Sequence, residues 1–129
     1  MRKEEIVLTA IENLEPGFLK GQWHGYEDAQ MDHGIDGIFT LEAESRKETF
    51  EVTVKKELRT YLVDQIIDTA KGRKHFLVIV YKLFPALKEK LREHNINYLE
   101  ANGNIFINTK KLFLLLDTNK TLKTEKKDR

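Results

Sequence analysis

The stretch FLVIVYKLFPALKEKLREHNINYLE, residues 76–100, determines the fold class. Its first six residues are apolar without alternation, a pattern typical of a strand that is buried on both faces and has a parallel partner. Pro85 then marks the first turn of a helix that continues through ALKEKLREH, because proline is tolerated at the first helical position. INYLE, residues 96–100, follows as the next strand. The stretch therefore predicts a strand–helix–strand unit.

Two short strands are predicted after this unit. Asn102-Gly103 is a turn signal between INYLE and the strand NIFIN, residues 104–108. KLFLLL, residues 111–116, is the second of these strands. The charged residues 117–129 predict a tail or linker outside a single domain of residues 1–116.

The N-terminal half adds elements whose limits follow from hydrophobic periodicity. Helical spacing predicts helices over residues 3–14 and 57–70, and alternation predicts strands over 36–43 and 49–56. The short charged linker between these two strands predicts an antiparallel hairpin. Residues 18–26 are a candidate short strand. The whole order predicts an α/β or α+β fold in which helices cover a mixed sheet.

Composition restricts the functional class. The 129 residues are 40% hydrophobic, which supports a packed core, and 22 Lys and Arg nearly balance 21 Asp and Glu. Cysteine is absent, so disulfides, thiolate zinc sites and cysteine nucleophiles are excluded. Apolar runs are too short to span a membrane, and the first residues lack the apolar core of a secretory signal. We expect a cytoplasmic protein without a membrane partner.

The predicted hairpin carries a constellation of polar side chains. Asp36 opens its first strand, and Glu51, Thr53 and Lys55 share one face of the second because strand side chains alternate. Carboxylates suit Mg²⁺, and a nearby ammonium can hydrogen-bond an attacking water or offset charge on phosphorus. Such a site would cleave a phosphodiester. A solvated strand face explains the same spacing, so spacing alone leaves both interpretations open.

The segment DGIFTLEAESRKETFEVTVKKEL, residues 36–58, resembles the core of the PD-(D/E)XK nuclease superfamily, the restriction-endonuclease-like fold. In that superfamily an acidic residue opens one strand, and a (D/E)-x-K triplet lies on the next strand, before a helix. Asp36 matches the first acid, Lys55 matches the lysine, and Gln65 lies on the following helix, where several families carry a glutamine. The resemblance implies that Asp36 and Glu51 hold Mg²⁺, Lys55 positions water and Gln65 orients the lysine or the phosphate.

A second resemblance covers FLVIVYKLFPALKEKLREHNINYLEANGNIFI, residues 76–107. This stretch is similar to bacterial proteins in which a nuclease-like domain precedes a winged helix, often described as antitoxins of the abortive-infection type. The residues that fit their pattern are Pro85, Ala86, Leu87, Leu91, Arg92, Ile96, Asn97, Tyr98, Leu99, Ala101, Gly103 and Asn104. The resemblance implies a nucleic-acid partner, with DNA favoured over RNA, and a protein partner or homodimer. It also implies that residues 117–129 lead towards a winged helix.

Thr53 departs from the nuclease motif, because it stands where the triplet requires Asp or Glu. A neutral hydroxyl is a poorer metal ligand than a carboxylate. Glu51 is a candidate substitute on the same face, and Glu12 or Glu15 of the first helix are two others. The departure favours a degenerate nuclease site over an active one. The alternative, from a different class, is a non-catalytic interaction or regulatory module of a transcriptional regulator or antitoxin.

Two aromatic residues, Trp23 and Tyr26, and two histidines, His24 and His33, lie close before Asp36 in the sequence. An exposed aromatic ring there can stack on a base, or it can close the edge of a small core. We expect the second role for the rings and an ordinary surface position for the histidines.

Overall fold

The computed structural model describes residues 1–27 and 34–117. Within them, seven strands form one sheet whose spatial order is the chain order, accompanied by three helices. The elements are α1 (Lys3–Glu12), β1 (Leu19–Gly25), β2 (Gly37–Ala43), β3 (Arg46–Glu57), α2 (Thr60–Ala70), β4 (Phe76–Lys82), α3 (Pro85–Glu93), β5 (Asn97–Glu100), β6 (Ile105–Asn108) and β7 (Phe113–Leu116).

The sheet is mixed. Strands β3, β4 and β5 are parallel to one another at its centre, while β1–β2–β3 and β5–β6–β7 are antiparallel on either side. The apolar run of β4 therefore has a parallel neighbour on both sides, as its lack of alternation predicts. The expected α/β class, a mixed sheet flanked by helices, is confirmed.

Two hydrophobic clusters cover the two faces of the sheet. Helix α1 packs on one face, hereafter the α1 face, through Ile6, Val7 and Ala10. Helices α2 and α3 cover the opposite face, hereafter the α2–α3 face. The position of β4 between the two clusters explains its apolar composition. Leu77 and Ile79 belong to the first cluster, and its other buried residues belong to the second.

The structure moves the bounds of several predicted elements, and the changes in β3 and α2 have a clear physical reason. Strand β3 is longer than predicted, and the hairpin connection shrinks to Glu44-Ser45, with Glu44 in the left-handed region at φ 59°. Helix α2 begins at Thr60 rather than at residue 57, because Glu57 still pairs with Lys82 in the parallel ladder. Charged residues in the linker concealed the additional strand pairs.

The predicted tail lies outside the described residues, apart from Asp117. Residues 28–33, including His33, also lie outside them. Within the described ranges, the model contains no helix that is both long and apolar enough to cross a membrane.

Candidate functional site

Asp36 lies at the start of β2, where its backbone connects two neighbouring strands. Its N–H donates to the carbonyl oxygen of Val52 at 2.7 Å, and its carbonyl oxygen accepts from the N–H of Tyr26 at 2.9 Å. The side chain is buried. Oδ2 accepts from the N–H of Val54 at 2.8 Å, and Oδ1 accepts from Nζ of Lys3 at 2.9 Å. Both carboxylate oxygens are therefore engaged by the protein itself.

Lys3 supplies a cation to this carboxylate from the first turn of α1. The ammonium reaches Oδ1 from a side chain that is itself half exposed, so it compensates the buried negative charge without being desolvated completely. A positive charge thus already sits at one carboxylate oxygen, where a metal ion would also bind. The first helix contributes a cation here, and not one of the acids considered from the sequence.

Thr53 has a structural role at its position in the motif. Its buried hydroxyl donates to the carbonyl oxygen of Gly34 at 2.7 Å, which fastens the segment before Asp36 onto β3. A carboxylate at this position would face that carbonyl oxygen, and two acceptors without a proton between them repel each other. The threonine therefore fits the local hydrogen bonding better than an acid would.

A cleft of about 340 Å³ opens beside Asp36. Asp36, Thr53 and Lys55 line it together with Lys3, and α2 adds residues that include Gln65 and Thr69. The structure thus brings together three of the four predicted site residues, because β3 alternates and α2 crosses the same face. We call this space the Asp36 cleft. Its two ammonium groups exceed its single carboxylate by one positive charge, so its chemistry suits an anion.

Glu51, the fourth predicted site residue, does not line the Asp36 cleft. Its carboxylate pairs instead with Nε of Arg73 at 3.3 Å. Glu12 lines a separate cleft with residues of β1 and β2, and Glu15 lies outside the Asp36 cleft as well. The described residues contain no group of three or more His, Asp or Glu side chains that could hold a metal ion.

A second cleft of about 500 Å³ meets the first at Lys3 and Asp36. Trp23, His24 and Tyr26 line it. Glu4 lines it as well, and the rings of Trp23 and Tyr26 pack partly against the two hydrophobic clusters, as expected for aromatic side chains that close the edge of a core.

Sequence reasoning missed Lys3 as a site residue, although a signal was present. Ile6, Val7 and Ala10 stand three, four and seven positions after Lys3, and all three are buried. Lys3 consequently continues the buried stripe of α1 at its first turn, although its side chain stays half exposed.

A separate polar cluster lies under α3, on the same face of the sheet. Nζ of Lys88 contacts Oε1 of Glu100 at 2.9 Å and Oδ1 of Asp117 at 2.7 Å. The other oxygen of Glu100 accepts from the N–H of Leu83 at 3.2 Å. Burial alone would lower the pKa of Lys88, but hydrogen bonds and charge from Asp117 and Glu100 outweigh it and raise the pKa. This cluster fastens α3 to β5 and to the end of β7.

Comparison of the chain with protein-family models, with curated proteins and with solved structures found no match in any of the three. The function proposed below is therefore based on the geometry around Asp36.

Proposed function

We propose that the chain is a nuclease-like, nucleic-acid-associated domain of the restriction-endonuclease-like fold, which binds a DNA phosphate without cleaving it. The observation that carries this proposal is the double engagement of Asp36, by the Lys3 ammonium at 2.9 Å and by the Val54 N–H at 2.8 Å.

The lack of cleavage follows from the chemistry of the ligands. Mg²⁺ requires oxygen ligands in near-octahedral geometry, usually one or two carboxylates with waters and substrate phosphate. The Asp36 cleft offers one carboxylate, and Mg²⁺ would have to displace Lys3 from it. The Thr53 hydroxyl donates a hydrogen bond to the carbonyl oxygen of Gly34, and Glu51 pairs with Arg73, so neither side chain is directed at a metal ion beside Asp36. The residues present thus fit a divalent ion poorly, and the metal site is degenerate.

Phosphate binding follows from the donors that remain. Lys55 supplies an ammonium group, Lys3 supplies a second one that it shares with Asp36, and Gln65 and Thr69 add polar side chains from α2. Phosphate contacts of this kind provide affinity that depends on charge and not on base sequence. The motif order supports the same class of protein, since an acid opens β2, a lysine lies on β3 and a helix follows.

The first test measures binding of a fluorescently labelled DNA duplex by anisotropy. We expect Lys55→Ala to weaken binding on the order of three- to tenfold and to reduce the salt slope by about 1, because one phosphate contact is lost. Lys56→Ala is the matched control, since Lys56 is exposed and points to the opposite face of β3. Equal effects of the two substitutions would contradict a role for the Asp36 cleft.

The second test asks whether the same DNA is cleaved in the presence of Mg²⁺ or Mn²⁺. We expect none. Cleavage that disappears with Lys55→Ala and with a chelator would overturn the degenerate site and support a Mg²⁺-dependent endonuclease. If the wild-type chain neither binds nor cleaves DNA, the alternative of a non-catalytic module that contacts a protein partner replaces the proposal.

A further inference from the structure

Strand β7 forms one edge of the sheet, and no strand among the described residues pairs with its outer side. Its sequence is FLLL, and Phe113 and Leu115 are 62% and 48% exposed. An uncharged, apolar edge is a template for pairing with another chain. The opposite edge, β1, carries Lys20, His24 and two glycines, which are features that discourage such pairing.

The register with β6 shows which backbone groups of β7 face outwards. The N–H of Thr109 donates to the carbonyl oxygen of Leu112 at 2.9 Å, so Leu112 belongs to a hydrogen-bonded pair. Such pairs alternate along an antiparallel ladder, and the groups of Phe113 and Leu115 therefore point to the outer edge. The hydrogen bond of Asn108, which lies opposite Phe113, supports this assignment. Its N–H donates away from β7, to Oδ1 of Asn97 at 2.8 Å.

We propose that β7 pairs in an antiparallel manner with β7 of a second copy, around a two-fold axis at Leu114. Phe113 of each copy then opposes Leu115 of the other, and the outward N–H and C=O groups of both residues form hydrogen bonds across the interface. The exposed side chains of Phe113 and Leu115 lie on the same face of the joined sheets, where they cover each other.

Charge selects this register over its neighbours. A two-fold axis at Phe113 would place Leu115 opposite Lys111, and an axis at Leu115 would place Phe113 opposite Asp117. With the axis at Leu114, Lys111 opposes Asp117 of the other copy, whose carboxylate also pairs with Lys88, so opposite charges meet at both ends. A two-fold axis between two adjacent residues would place an outward-facing backbone group of one copy opposite an inward-facing group of the other. The hydrogen bonds across the interface would then be lost.

The sequence after β7 also favours a second copy, and not the chain's own next residues, as the partner of the β7 edge. Residues 118–129 contain a single large apolar residue, Leu122, among charged and polar ones. Such a segment offers little to an apolar edge, whereas FLLL matches itself.

The first experiment measures the mass of the full chain in solution by light scattering over a wide concentration range. We expect a dimer for the wild type and a monomer for Leu115→Lys, which places a charge in the interface. Leu8→Lys is the matched control, because Leu8 is 47% exposed and belongs to α1 and not to the proposed interface, and it should remain a dimer. A monomeric wild type, or a folded Leu115→Lys that still dimerises, would overturn the proposal.

The second experiment tests the register and needs no charged substitution. The chain lacks cysteine, so any disulfide must come from an introduced residue. Leu114→Cys would face its own copy in a non-hydrogen-bonded pair about 4.5 Å apart between Cα atoms, within disulfide range. Leu116→Cys would be four residues out of register, roughly 13 Å from its copy. We expect oxidation to link only Leu114→Cys, and linking of both or neither overturns this interface.

Discussion

At the residue scale, Asp36 and Lys55 could be placed together from the sequence, but their partners could not. Alternation along β3 was sufficient to place Lys55 near Asp36, whereas Gln65 of the same cleft was expected only from the resemblance to the nuclease superfamily. Glu51 left that group because Arg73, which follows a turn after α2, is close enough to pair with it. A contact of this kind depends on tertiary structure, and periodicity carries no information about it.

Substitutions at Thr53 test its structural role. We expect Thr53→Ser to retain the free energy of unfolding, because a hydroxyl still donates to Gly34. Thr53→Val should lower it by about 1–2 kcal/mol through the lost hydrogen bond, and Thr53→Asp by roughly 3 kcal/mol, because a buried charge then faces a carbonyl oxygen. Urea denaturation measures all three. If Mg²⁺ raised the midpoint of Thr53→Asp, the new carboxylate would share an ion with Asp36, contrary to this expectation.

At the scale of elements, the sequence predicted the type of every helix and strand among the described residues, but not where β3 begins and ends. The unbroken apolar run identified β4, whose side chains are buried on both faces of the sheet, and Pro85 marked the first turn of α3. Strand β3 exceeded its predicted length because both ends contain charged residues whose pairing partners are supplied by β2 and β4. Ladder hydrogen bonds, which the side-chain pattern does not report, decide such ends.

The pairing of β1 with β2 offers a test at this scale, since Gly25 and Gly37 face each other in the ladder. A Cβ on Gly37 would lie 2.5 Å from the carbonyl oxygen of His24 and 2.9 Å from Cα of Gly25, and neither backbone atom can move alone. We expect Gly37→Ala to lower the free energy of unfolding by about 1–3 kcal/mol.

Gly25→Ala is the control for that substitution, because its Cβ would meet only the Trp23 side chain, at 3.0 Å. Thermal unfolding of both variants measures the two losses of stability. A smaller loss for Gly37→Ala than for Gly25→Ala would show that the two strands are not held this close together.

At the scale of the whole molecule, polar groups under α3 connect parts of the chain that are distant in sequence. Lys88 joins Glu100 of β5 to Asp117 beyond β7, and the hydroxyl of Tyr98 accepts from Nη1 of Arg92 at 2.7 Å. Burial raises the pKa of Tyr98, while Arg92 opposes that change. The α2–α3 face is thus held together partly by groups that titrate only at alkaline pH.

Alkaline unfolding tests this description. Lys88 and Tyr98 bind their protons more tightly in the folded state, because their pKa values are raised from the ordinary 10.5 and 10.0. The stability that they contribute is fully present below these ordinary values, and it is lost as the pH rises through the higher folded-state pKa values. We expect the free energy of unfolding to fall above pH 10.0 and to fall less steeply in Tyr98→Phe. Tyr61→Phe, at a tyrosine that is 77% exposed, should follow the wild type. Identical slopes for both variants would contradict the prediction.

Because the strands lie side by side in the order in which they occur in the chain, each strand pairs with the one synthesised just before it. Contacts of short sequence separation close quickly, so β1, β2 and β3 can associate while the ribosome is still adding the parallel strands. One bond bridges nearly the full length of the domain: Nδ2 of Asn13 donates to the carbonyl oxygen of Ala101 at 2.9 Å, across 88 positions. We expect the start of the chain to be secured to the β5–β6 connection only after translation has passed Ala101.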